Sequence, residues 1–399
     1  LEGVRVLDLT RILAGPYCTM LLGDMGADVI KIERPTVGDD TRSWGPPFAT
    51  PKNPSQTPES AYFLCVNRNK RSVTVDLKSQ KGLQIIKDLV KVSDVLVENY
   101  IPGKLEEMGL GYETLKELNP KLVYASITGY GPDGPFAKTP GYDVMIEAEA
   151  GLMHITGHPE SPPAKVGVAI TDVCTGLYAH GAILASLLAR ERTGLGQKVD
   201  LSLLETQLAC LVNLASSHLI GGDNPMRAGT SHPSIVPYQS FETKDGHIVV
   251  GAGNDKQFQK LLVKLNIENL KESSKFNSNP NRVKNRKELI HLLNEKFKES
   301  TTEYWLKQLK GGGFPFAPIN DIEKTFKHPQ VEHRKMIETV EHSTCGDIKL
   351  VGLPVKYSGV GTSIRLPPPT LGQHTQEVLK TVLNYNKHQI EELIKSKVV

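Results

Sequence analysis

The stretch VRVLDLT at residues 4–10, followed by AGPYCTMLLGDMGADVIKIERP at residues 14–35, decides the fold of the N-terminal region. It contains two β-like runs with a helix-like segment between them, and Gly15 and Pro16 lie where that helix begins. The acid Glu33 closes the second run. This order is typical of a βαβ unit that binds a dinucleotide, so NAD is the first ligand to consider.

Three motifs that would settle the chemistry are missing. An NAD fingerprint requires G-x-G-x-x-G, but the turn after Leu9 offers only Gly15, and the next glycines are Gly23 and Gly26. GYGPDG at 129–134 is followed by Pro135, where an ATP-binding loop needs Lys. No Gly-x-Ser-x-Gly elbow is present. The sequence therefore does not support an NAD-dependent dehydrogenase, a P-loop enzyme or a serine hydrolase.

Composition argues against several classes of partner. The chain has 39% hydrophobic and 23% charged residues and a formal net charge of +3, which is too small to indicate a nucleic-acid or membrane surface. The 5 cysteines show no C-x-x-C pair, which favours a reducing compartment without disulfides or zinc. Gly157 and Pro159 break any helix that would align His154 with His158. We predict no metal, no nucleic acid and no apolar run of the roughly 20 residues that span a membrane.

The first 200 residues alternate strand-like and helix-like patterns, which predicts a parallel sheet with helices on both faces. A second region begins near Pro233 with two short alternating runs broken by Lys244-Asp245-Gly246, which predicts a hairpin. Helical patterns follow at 255–264, 286–298 and 302–310, so this region is expected to be a smaller α+β unit. A last amphipathic helix is expected after PPPTLGQHT.

Several segments together resemble one family, the class III CoA-transferases of the formyl-CoA transferase group. They are DLTRILAGPYCTMLLGDMGADVIKIERP, GDDTRSWGPPF, NRNKRSVTVDLK, DVLVENYIPGKLEEMGLGYE, SITGYGPDGP, TDVCTGLYAHGAILASLLARERTGLGQKVDLSLLE and PPPTLGQHT. The resemblance implies an α/β fold with a Rossmann-like large domain built from both chain ends, a small inserted α+β domain, and an interlocked homodimer. The implied domains are residues 1–205 (large domain, first part), 206–228 (linker), 229–325 (small domain) and 326–399 (linker and return to the large domain).

The same resemblance implies the activity. The enzymes move CoA from an acyl-CoA to a carboxylic acid, with the coenzyme A thioester as substrate and no permanently bound cofactor. The stretch from GLMHITG to GAGN is most similar to the branch that uses succinyl-CoA and a dicarboxylate such as glutarate, which is mitochondrial in animals. We therefore expect acyl-CoA and dicarboxylate substrates and a mitochondrial matrix location, with the cytoplasm as the alternative.

Asp172 is the candidate nucleophile. The segment KVGVAITDVC predicts a short strand that leads through Thr171 into a helix, so Asp172 is locally an N-cap or first-turn acid. An ordinary carboxyl, with a pKa of about 3.9, would be ionised there at neutral pH. The resemblance implies more, because the matching Asp in the family attacks the thioester and forms an aspartyl anhydride and then aspartyl-CoA.

The resemblance also supplies binding residues. The loop GAGN is matched to the family's glycine loop and could supply oxyanion donors; its residues are Gly251, Gly253 and Asn254. The positions that match CoA contacts are Arg34, Val75, Lys78, Asn99 and Tyr100. Two further basic contacts of the family fall on Glu107 and Pro140 here, although Lys104 and Lys138 lie close in sequence.

The acyl group needs its own contacts. The family has an active-site Trp where Trp44 falls, and a dicarboxylate requires a cation for its far end, preferably a bidentate Arg. Arg42 is the first candidate and His232 the second. The alternative for Arg42 is a salt bridge with Asp39 or Asp40.

Two alternatives remain for the activity. An α-methylacyl-CoA racemase shares the fold but uses a His base, which would fall on Tyr142 here. A tyrosine phenol is a far weaker base at neutral pH than an imidazole, which favours the transferase. A non-catalytic CoA-binding protein is the second alternative, and the presence of Asp172 counts against it.

Overall fold

The computed structural model describes residues 1–399 and divides into two compact units. The first unit consists of Leu1–Leu152, Lys165–Gly222 and Glu332–Val399. The second unit consists of Met153–Ala164 and Asp223–Val331.

The strands, in chain order, are Arg5–Asp8 (β1), Asp28–Glu33 (β2), Phe48–Ala49 (β3), Glu59–Ser60 (β4), Lys70–Thr74 (β5), Val95–Glu98 (β6), Val123–Thr128 (β7), Lys198–Ser202 (β8), Tyr238–Glu242 (β9), His247–Gly251 (β10), Phe316–Pro318 (β11), Ile337–His342 (β12) and Gly346–Val351 (β13).

The α-helices are Ala14–Asp24 (α1), Ala61–Cys65 (α2), Gln80–Lys91 (α3), Lys104–Glu107 (α4), Tyr112–Leu118 (α5), Asp143–Glu149 (α6), Leu152–Ile155 (α7), Ile170–Thr193 (α8), Leu203–Cys210 (α9), Val212–Gly221 (α10), Asp255–Leu265 (α11), Asn279–Lys284 (α12), Arg286–Lys298 (α13), Thr302–Leu309 (α14), Ile322–Phe326 (α15), Pro329–His333 (α16), Thr375–Thr381 (α17) and Lys387–Lys395 (α18). Two short 3-10 helices span Asp40–Ser43 and Glu268–Glu272.

The first unit is built on a six-stranded sheet in the order β5-β2-β1-β6-β7-β8. Every pair in it is parallel, as the alternating sequence pattern predicts. Because the chain winds outward in one direction from β1 and in the other from β6, the strand order reverses between these two strands. Ligands of open α/β sheets bind at the carboxyl edge of such a reversal, so the loops after β1 and β6 are where a site is expected.

Apolar side chains cover both faces of this sheet. One core cluster joins the sheet to α3, α5, α17 and α18, and includes Leu89, Leu115, Leu379 and Leu393. The other joins it to α1 and α8 through residues such as Cys18 and Ile183. The predicted placement of helices on both faces is therefore confirmed.

A buried network of charges lies under the loop that follows β1. Lys70 Nζ lies 3.0 Å from Asp8 Oδ2, Lys31 Nζ lies 2.9 Å from Asp39 Oδ2, and all four side chains are shielded from solvent. Burial lowers the pKa of Lys70 to about 8, against the opposing pull of Asp8. Asp39 also accepts the backbone N–H of Ile12 at 3.2 Å. Breaking one buried pair costs roughly 3–5 kcal/mol, so this network holds the loop firmly at the strand-order reversal.

The second unit contains an antiparallel sheet in the order β11-β10-β9. Its β9–β10 hairpin turns at residues 243–246 and confirms the hairpin prediction. The three helices predicted at 255–264, 286–298 and 302–310 are α11, α13 and α14. They bury Phe258, Leu293 and Trp305 in one core.

One prediction about the segment around α8 is wrong. Residues 165–169 form no strand, and they pair with no sheet edge. Helix α8 itself is long and apolar enough to cross a membrane by length and composition, with 33% of that apolar stretch buried within the chain. The bent pair α9 and α10 passes the same test when it is taken as one segment. Helix α8 packs along α1 in the core of the first unit.

Candidate functional site

A cavity of ≈ 580 Å³ opens at the carboxyl edge of the parallel sheet, at the reversal between β1 and β6. The loops after β1, β6 and β7 and the start of α8 form its walls. The lining residues used below are Arg11, Asn99, Tyr100, Lys104, Glu107, Lys138, Pro140, Tyr142 and Asp172. All of them belong to the first unit.

Asp172 reaches this cavity from the first turn of α8, as its local sequence predicts. The helix is fixed in depth by Gly176, which lies one turn further on. An added Cβ at Gly176 would lie 2.7 Å from the carbonyl oxygen of Ala14 in α1. Since only glycine permits this close approach, the contact between α1 and α8 sets where Asp172 meets the cavity.

The carboxyl of Asp172 is less acidic than expected. Burial, together with the nearby negative charge of Asp143, raises its pKa from 3.8 to about 7. The expectation of an ordinary pKa is therefore wrong, because no cation faces the carboxyl and it is mostly desolvated. A carboxylate with this pKa is a stronger nucleophile than an ordinary one.

Asp143 explains why the start of α8 does not lower that pKa. Asp143 Oδ1 accepts the backbone N–H groups of Thr171 at 2.9 Å and of Asp172 at 3.1 Å. The N–H groups that a first-turn anion would otherwise attract are thus already occupied. They are also not free to serve as oxyanion donors.

Tyr62 is a neighbour of Asp172 that the sequence analysis missed. Burial and the negative charge of Asp172 raise the pKa of Tyr62 to about 12, which keeps the phenol protonated. Its ring packs edge-on against Trp44, with the ring centroids 5.3 Å apart. Trp44, the expected acyl-site tryptophan, is 41% exposed. The pair places an aromatic wall and a hydroxyl near the carboxyl, and no local motif around Tyr62 signals this.

The expected CoA-binding residues fall into three places. Asn99 and Tyr100 line the main cavity. Tyr100 also lines a small adjoining cleft together with Arg34 and Val75. Lys78 is exposed and lines neither of these spaces. Four of the five candidates therefore line the cavity or the adjoining cleft, and Lys78 lines neither.

Asn99 has a clear structural role at this edge. Its side chain accepts the backbone N–H of Arg11 at 3.0 Å and donates to the carbonyl of Arg11 at 2.8 Å. The Arg11 guanidinium lies over the ring of Tyr100, 5.7 Å from its centroid, and forms an ion pair with Asp40 at 2.7 Å. This set joins the loops after β1 and β6 into one rigid wall.

The two positions where the family's basic contacts are replaced, Glu107 and Pro140, both line the main cavity. Lys104 and Lys138 line it as well. Lys104 forms an ion pair with Glu107 at 2.9 Å, and Lys138 is exposed. The cavity thus keeps two lysines, shifted by a few residues along the chain.

Arg42 is not placed as expected. Its guanidinium forms two bonds of 2.7 Å to the carboxylate of Glu33, lies 3.4 Å from Glu59, and stacks on the ring of Phe63 at 3.7 Å. The side chain is 9% exposed. Arg42 therefore has neither a free bidentate edge nor access for a substrate carboxylate. Its partners also differ from the expected Asp39 and Asp40.

The remaining candidates belong to the second unit. The N–H of Gly251 donates to Pro315 O at 3.0 Å within the sheet, and the N–H of Gly253 donates to Gln257 Oε1 at 2.8 Å. Asn254 caps α11 by accepting the N–H of Gln257. These are the bonds of a strand end and a helix start.

His232 stacks on Tyr238, with ring centroids 5.5 Å apart, and its Nδ1 accepts the N–H of Ser234 at 3.1 Å. Its second ring nitrogen is left for another partner. No group of three or more His, Cys, Asp or Glu side chains in the chain could hold a metal ion.

Comparison with known proteins gives concordant results. The model of a family described as CoA-transferase family III matches residues 1–375. Succinyl-CoA:glutarate CoA-transferase of Homo sapiens is 52% identical over 100% of this chain and 90% of that protein. Succinate–glutarate CoA-transferase of Agrobacterium fabrum is 40% identical over 95% of this chain and 94% of that protein. The crystal structure of a CAIB/BAIF family protein from Brucella suis, 40% identical, has a TM-score of 0.86 and matches 96% of this chain and 98% of its own.

Proposed function

The chain belongs to CoA-transferase family III and is a CoA-transferase, and we propose that it moves coenzyme A from succinyl-CoA to glutarate or a closely related dicarboxylate. The observation that carries the proposal is the position of Asp172, a desolvated carboxyl that faces a cavity at the switch point of the sheet. The substrates are proposed from the printed activities of the similar proteins from Homo sapiens and Agrobacterium fabrum.

The first half of the proposed reaction loads CoA onto the protein. The carboxylate of Asp172 attacks the thioester carbonyl of succinyl-CoA, the C–S bond breaks, and an aspartyl-succinyl anhydride and CoA thiolate result. The thiolate then attacks the aspartyl carbonyl of the anhydride. The aspartyl C–O bond breaks, succinate leaves, and Asp172 carries CoA as a thioester.

The second half runs in reverse with a different acid. A carboxylate of glutarate attacks the aspartyl thioester, which releases CoA thiolate and forms an aspartyl-glutaryl anhydride. The thiolate attacks the glutaryl carbonyl, so glutaryl-CoA forms and Asp172 returns to a carboxylate. One thioester replaces another, and no ATP is consumed. An anionic nucleophile also needs no separate general base.

Coenzyme A is proposed to lie along the carboxyl edge, with its thioester at Asp172. Arg34, Lys104 and Lys138 suit the phosphate groups, since they are exposed cations that line the cavity or the adjoining cleft. Val75 and Tyr100 offer an apolar surface for the adenine or the pantetheine. Lys78 and Asn99 remain proposed contacts from the resemblance alone.

The proposed reaction also needs hydrogen-bond donors for the oxyanion and a ligand for the far carboxylate of the substrate. We keep the loop of Gly251, Gly253 and Asn254 as the proposed source of donors, which requires the side chain of Gln257 to release the N–H of Gly253. His232 replaces Arg42 as the proposed ligand of the far carboxylate. With Nδ1 accepting the N–H of Ser234, Nε2 carries the ring proton and can donate to a carboxylate, whereas Arg42 is already paired.

A homodimer with interlocked subunits is part of the proposal. Its support is the resemblance together with apolar side chains that the chain leaves exposed on α8 and α10. Leu219 is 81% exposed and Ile220 is 87% exposed, and Leu177, Leu188 and Val212 are exposed as well. Burying such a surface against a second copy would be favourable by about 25 cal/mol per Å² of apolar area.

A substrate panel tests the proposal. The purified protein is incubated with succinyl-CoA and, separately, with glutarate, malonate, oxalate, formate or a branched monocarboxylic acid, and each acyl-CoA product is measured by mass spectrometry. We expect glutaryl-CoA to form fastest and no product to require ATP. Transfer only to oxalate or formate would reassign the substrates. Conversion of a 2-methylacyl-CoA between its epimers, without any transfer, would favour the racemase instead.

The mitochondrial matrix is proposed as the location on the resemblance alone. Fractionation of the source cells, followed by detection with an antibody against the chain, would test it. Recovery in the matrix fraction supports the proposal, and recovery in the cytosol supports the alternative.

A further inference from the structure

Two carboxyl groups on α6, those of Asp143 and Glu147, do not line the cavity but affect Asp172 from outside it. Asp143 is the first residue of α6, and its Oδ1 accepts the N–H groups of both Thr171 and Asp172. It does not line the cavity. Asp143 therefore acts on Asp172 from outside the cavity, and it holds the helix turn from which Asp172 projects.

Glu147 is the second carboxyl. It lies one helical turn after Asp143 on α6 and is 0% exposed. Its Oε2 accepts the N–H of Val166 at 3.1 Å, but its Oε1 is buried and no N–H or hydroxyl group donates to it. Asp143 lies one turn earlier on the same side of α6, near enough for its negative charge to raise the pKa of Glu147. A buried oxygen without a donor is costly, unless that oxygen itself carries a proton.

The arrangement is satisfied if one of the two carboxyls carries a proton. Two neighbouring carboxyls, one of them fully buried, are more stable when they share a proton than when both are ionised. Burial and the negative charge of Asp143 raise the pKa of Glu147, against the opposing effects of the Val166 N–H and of Lys165. Asp143 already accepts two N–H groups at the start of α8, whereas the buried Oε1 of Glu147 accepts none. The proton therefore belongs on Glu147.

The other groups that face this pair agree with the assignment. On α8 they are Asp172 and Cys174, and on α2 the phenol of Tyr62, which are groups that the charge of Asp143 makes harder to ionise. Lys165 is the cation near the pair. With Glu147 neutral, Asp143 contributes one negative charge and Asp172 another, and the site avoids a third.

We propose that a protonated Glu147 donates to the carboxylate of Asp143, and that Asp143, held as an anion in this way, is the positioning residue that orients Asp172 and keeps it basic. The inference rests on the proposed role of Asp172 as nucleophile. The anion does two things at once, because it occupies the N–H groups that would otherwise stabilise the carboxylate of Asp172, and it repels that carboxylate's charge. Both effects favour attack on a thioester.

Three variants test the proposal through the pH dependence of kcat/KM for succinyl-CoA. Glu147→Gln copies the protonated acid, since its amide donates to Asp143 and its oxygen accepts from Val166. Glu147→Met has similar volume but offers no donor. Asp143→Asn still accepts from α8, but its amide donates to Glu147, which moves the negative charge away from Asp172.

We expect Glu147→Gln to keep kcat/KM within about threefold and the acid limb of the pH profile in place. In Glu147→Met, kcat/KM should fall roughly tenfold or more, because Asp143 loses the group that donates to it and then holds the first turn of α8 less firmly. Asp143→Asn should move the acid limb to lower pH by roughly half to one unit and reduce kcat at the plateau. A Glu147→Gln variant as impaired as Glu147→Met, or an Asp143→Asn variant with an unchanged acid limb, would overturn the proposal.

Thermal unfolding separates this proposal from the proposed mechanism, because it needs no substrate. If Glu147 is protonated in the folded state, its pKa is higher there than in the unfolded chain. The stability of wild type relative to Glu147→Gln is then greatest below about pH 4, and it falls as the pH rises until Glu147 ionises in the folded state as well. A constant difference from pH 6 to 9 contradicts the protonation of Glu147. Undiminished transfer by Asp172→Asn, measured in parallel, would instead overturn the nucleophile and leave the Glu147–Asp143 pair intact.

Discussion

The guanidinium of Arg42 and the carboxylate of Glu33 form a two-pronged ion pair, with Nε–Oε2 and Nη2–Oε1 distances of 2.7 Å each. The carboxylate also accepts the N–H of Asp39 and the hydroxyl of Ser72. This pair joins the end of β2 to the 3-10 helix at Asp40–Ser43, and the carbonyl of Pro369 accepts a further bond at 3.1 Å. Arg42 therefore stabilises the edge of the site and is not open to substrate.

The substitution Arg42→Lys should accordingly reduce stability and not acceptor recognition. Lys keeps the charge but cannot form the fork, so we expect the free energy of unfolding to fall by about 1–3 kcal/mol. The KM for glutarate should stay within about twofold. Arg34→Lys is the matched control, since its guanidinium is 52% exposed and we expect a change below about 0.5 kcal/mol. A large rise in acceptor KM at unchanged stability would restore Arg42 as the carboxylate ligand.

The pH profile of the enzyme should report the raised pKa of Asp172. Since only the carboxylate attacks, kcat/KM for succinyl-CoA should fall tenfold per unit below pH of about 7, the value to which burial and Asp143 raise this pKa. Initial rates from pH 5 to 9 measure it. A flat profile down to pH 5.5 would mean that Asp172 is ionised throughout, as an ordinary carboxyl would be.

The same carboxyl should weaken the fold at high pH. The pKa of Asp172 is higher in the folded chain than in the unfolded one, so the folded state binds more protons between about pH 4 and 7 and this contribution to stability falls as the pH rises through that window. Asp172→Asn removes the penalty. We expect its melting temperature to exceed that of wild type at pH 8 and to approach it at pH 5. Equal differences at both pH values would contradict the assigned shift.

Substitution of the lysines that line the cavity should weaken binding of the CoA thioester and leave binding of the acceptor acid unchanged. Lys138→Ala should raise the KM for succinyl-CoA about tenfold, with little change in kcat, because a phosphate would lose a cation in both the ground state and the transition state. Lys104→Ala should act in the same direction, but less, since Lys104 is shared with Glu107. Lys116→Ala is the control, because Lys116 pairs with Glu113 outside the cavity. Equal KM values for all three variants would place the phosphates elsewhere.

Interlocked subunits should not exchange. When tagged and untagged dimers are mixed under native conditions and separated on the tag, we expect no mixed dimer after a day, although mixed dimers should form after joint unfolding and refolding. Polar substitution of exposed apolar residues, such as Leu219→Glu, should impair assembly. Rapid exchange or a stable monomer would contradict the interlocked arrangement.

The sequence was sufficient for the parallel sheet because its inner strands are continuous apolar runs, as in LVYASIT, which only a sheet covered on both faces produces. It was not sufficient for β8, since KVDLS is short and half polar, and it joins the sheet only by pairing with β7. It also suggested a strand at 165–169 that has no neighbour to pair with. A strand forms only where a neighbouring strand pairs with it, and the local sequence pattern does not identify that neighbour.

The same limit applies to the candidate site, where some features follow from the local sequence and others depend on tertiary contacts. Asp172 could be placed at a helix start because its signal is local, a Thr-Asp pair before an apolar helix. Its environment could not, because Asp143 lies 29 positions away in sequence and the charge of that residue changes the acidity of Asp172. The sequence suggested Asp39 or Asp40 as the partner of Arg42, because they are the nearest acids along the chain. In the fold, the end of β2 places Glu33 beside it instead. Electrostatic partners of this kind follow from tertiary contacts.

Direct trapping of the covalent intermediate is the measurement closest to the central claim. The protein is incubated with succinyl-CoA, without acceptor, and treated with hydroxylamine, which converts an aspartyl thioester or anhydride to a hydroxamate. Peptide mass spectrometry then locates the modification, with Asp172→Asn as the control that keeps the size of the side chain. The account predicts the adduct on Asp172, and on no other residue, together with loss of turnover by several orders of magnitude in the Asn variant. An unmodified Asp172 peptide, or a folded Asn variant that transfers CoA at nearly the normal rate, would contradict it.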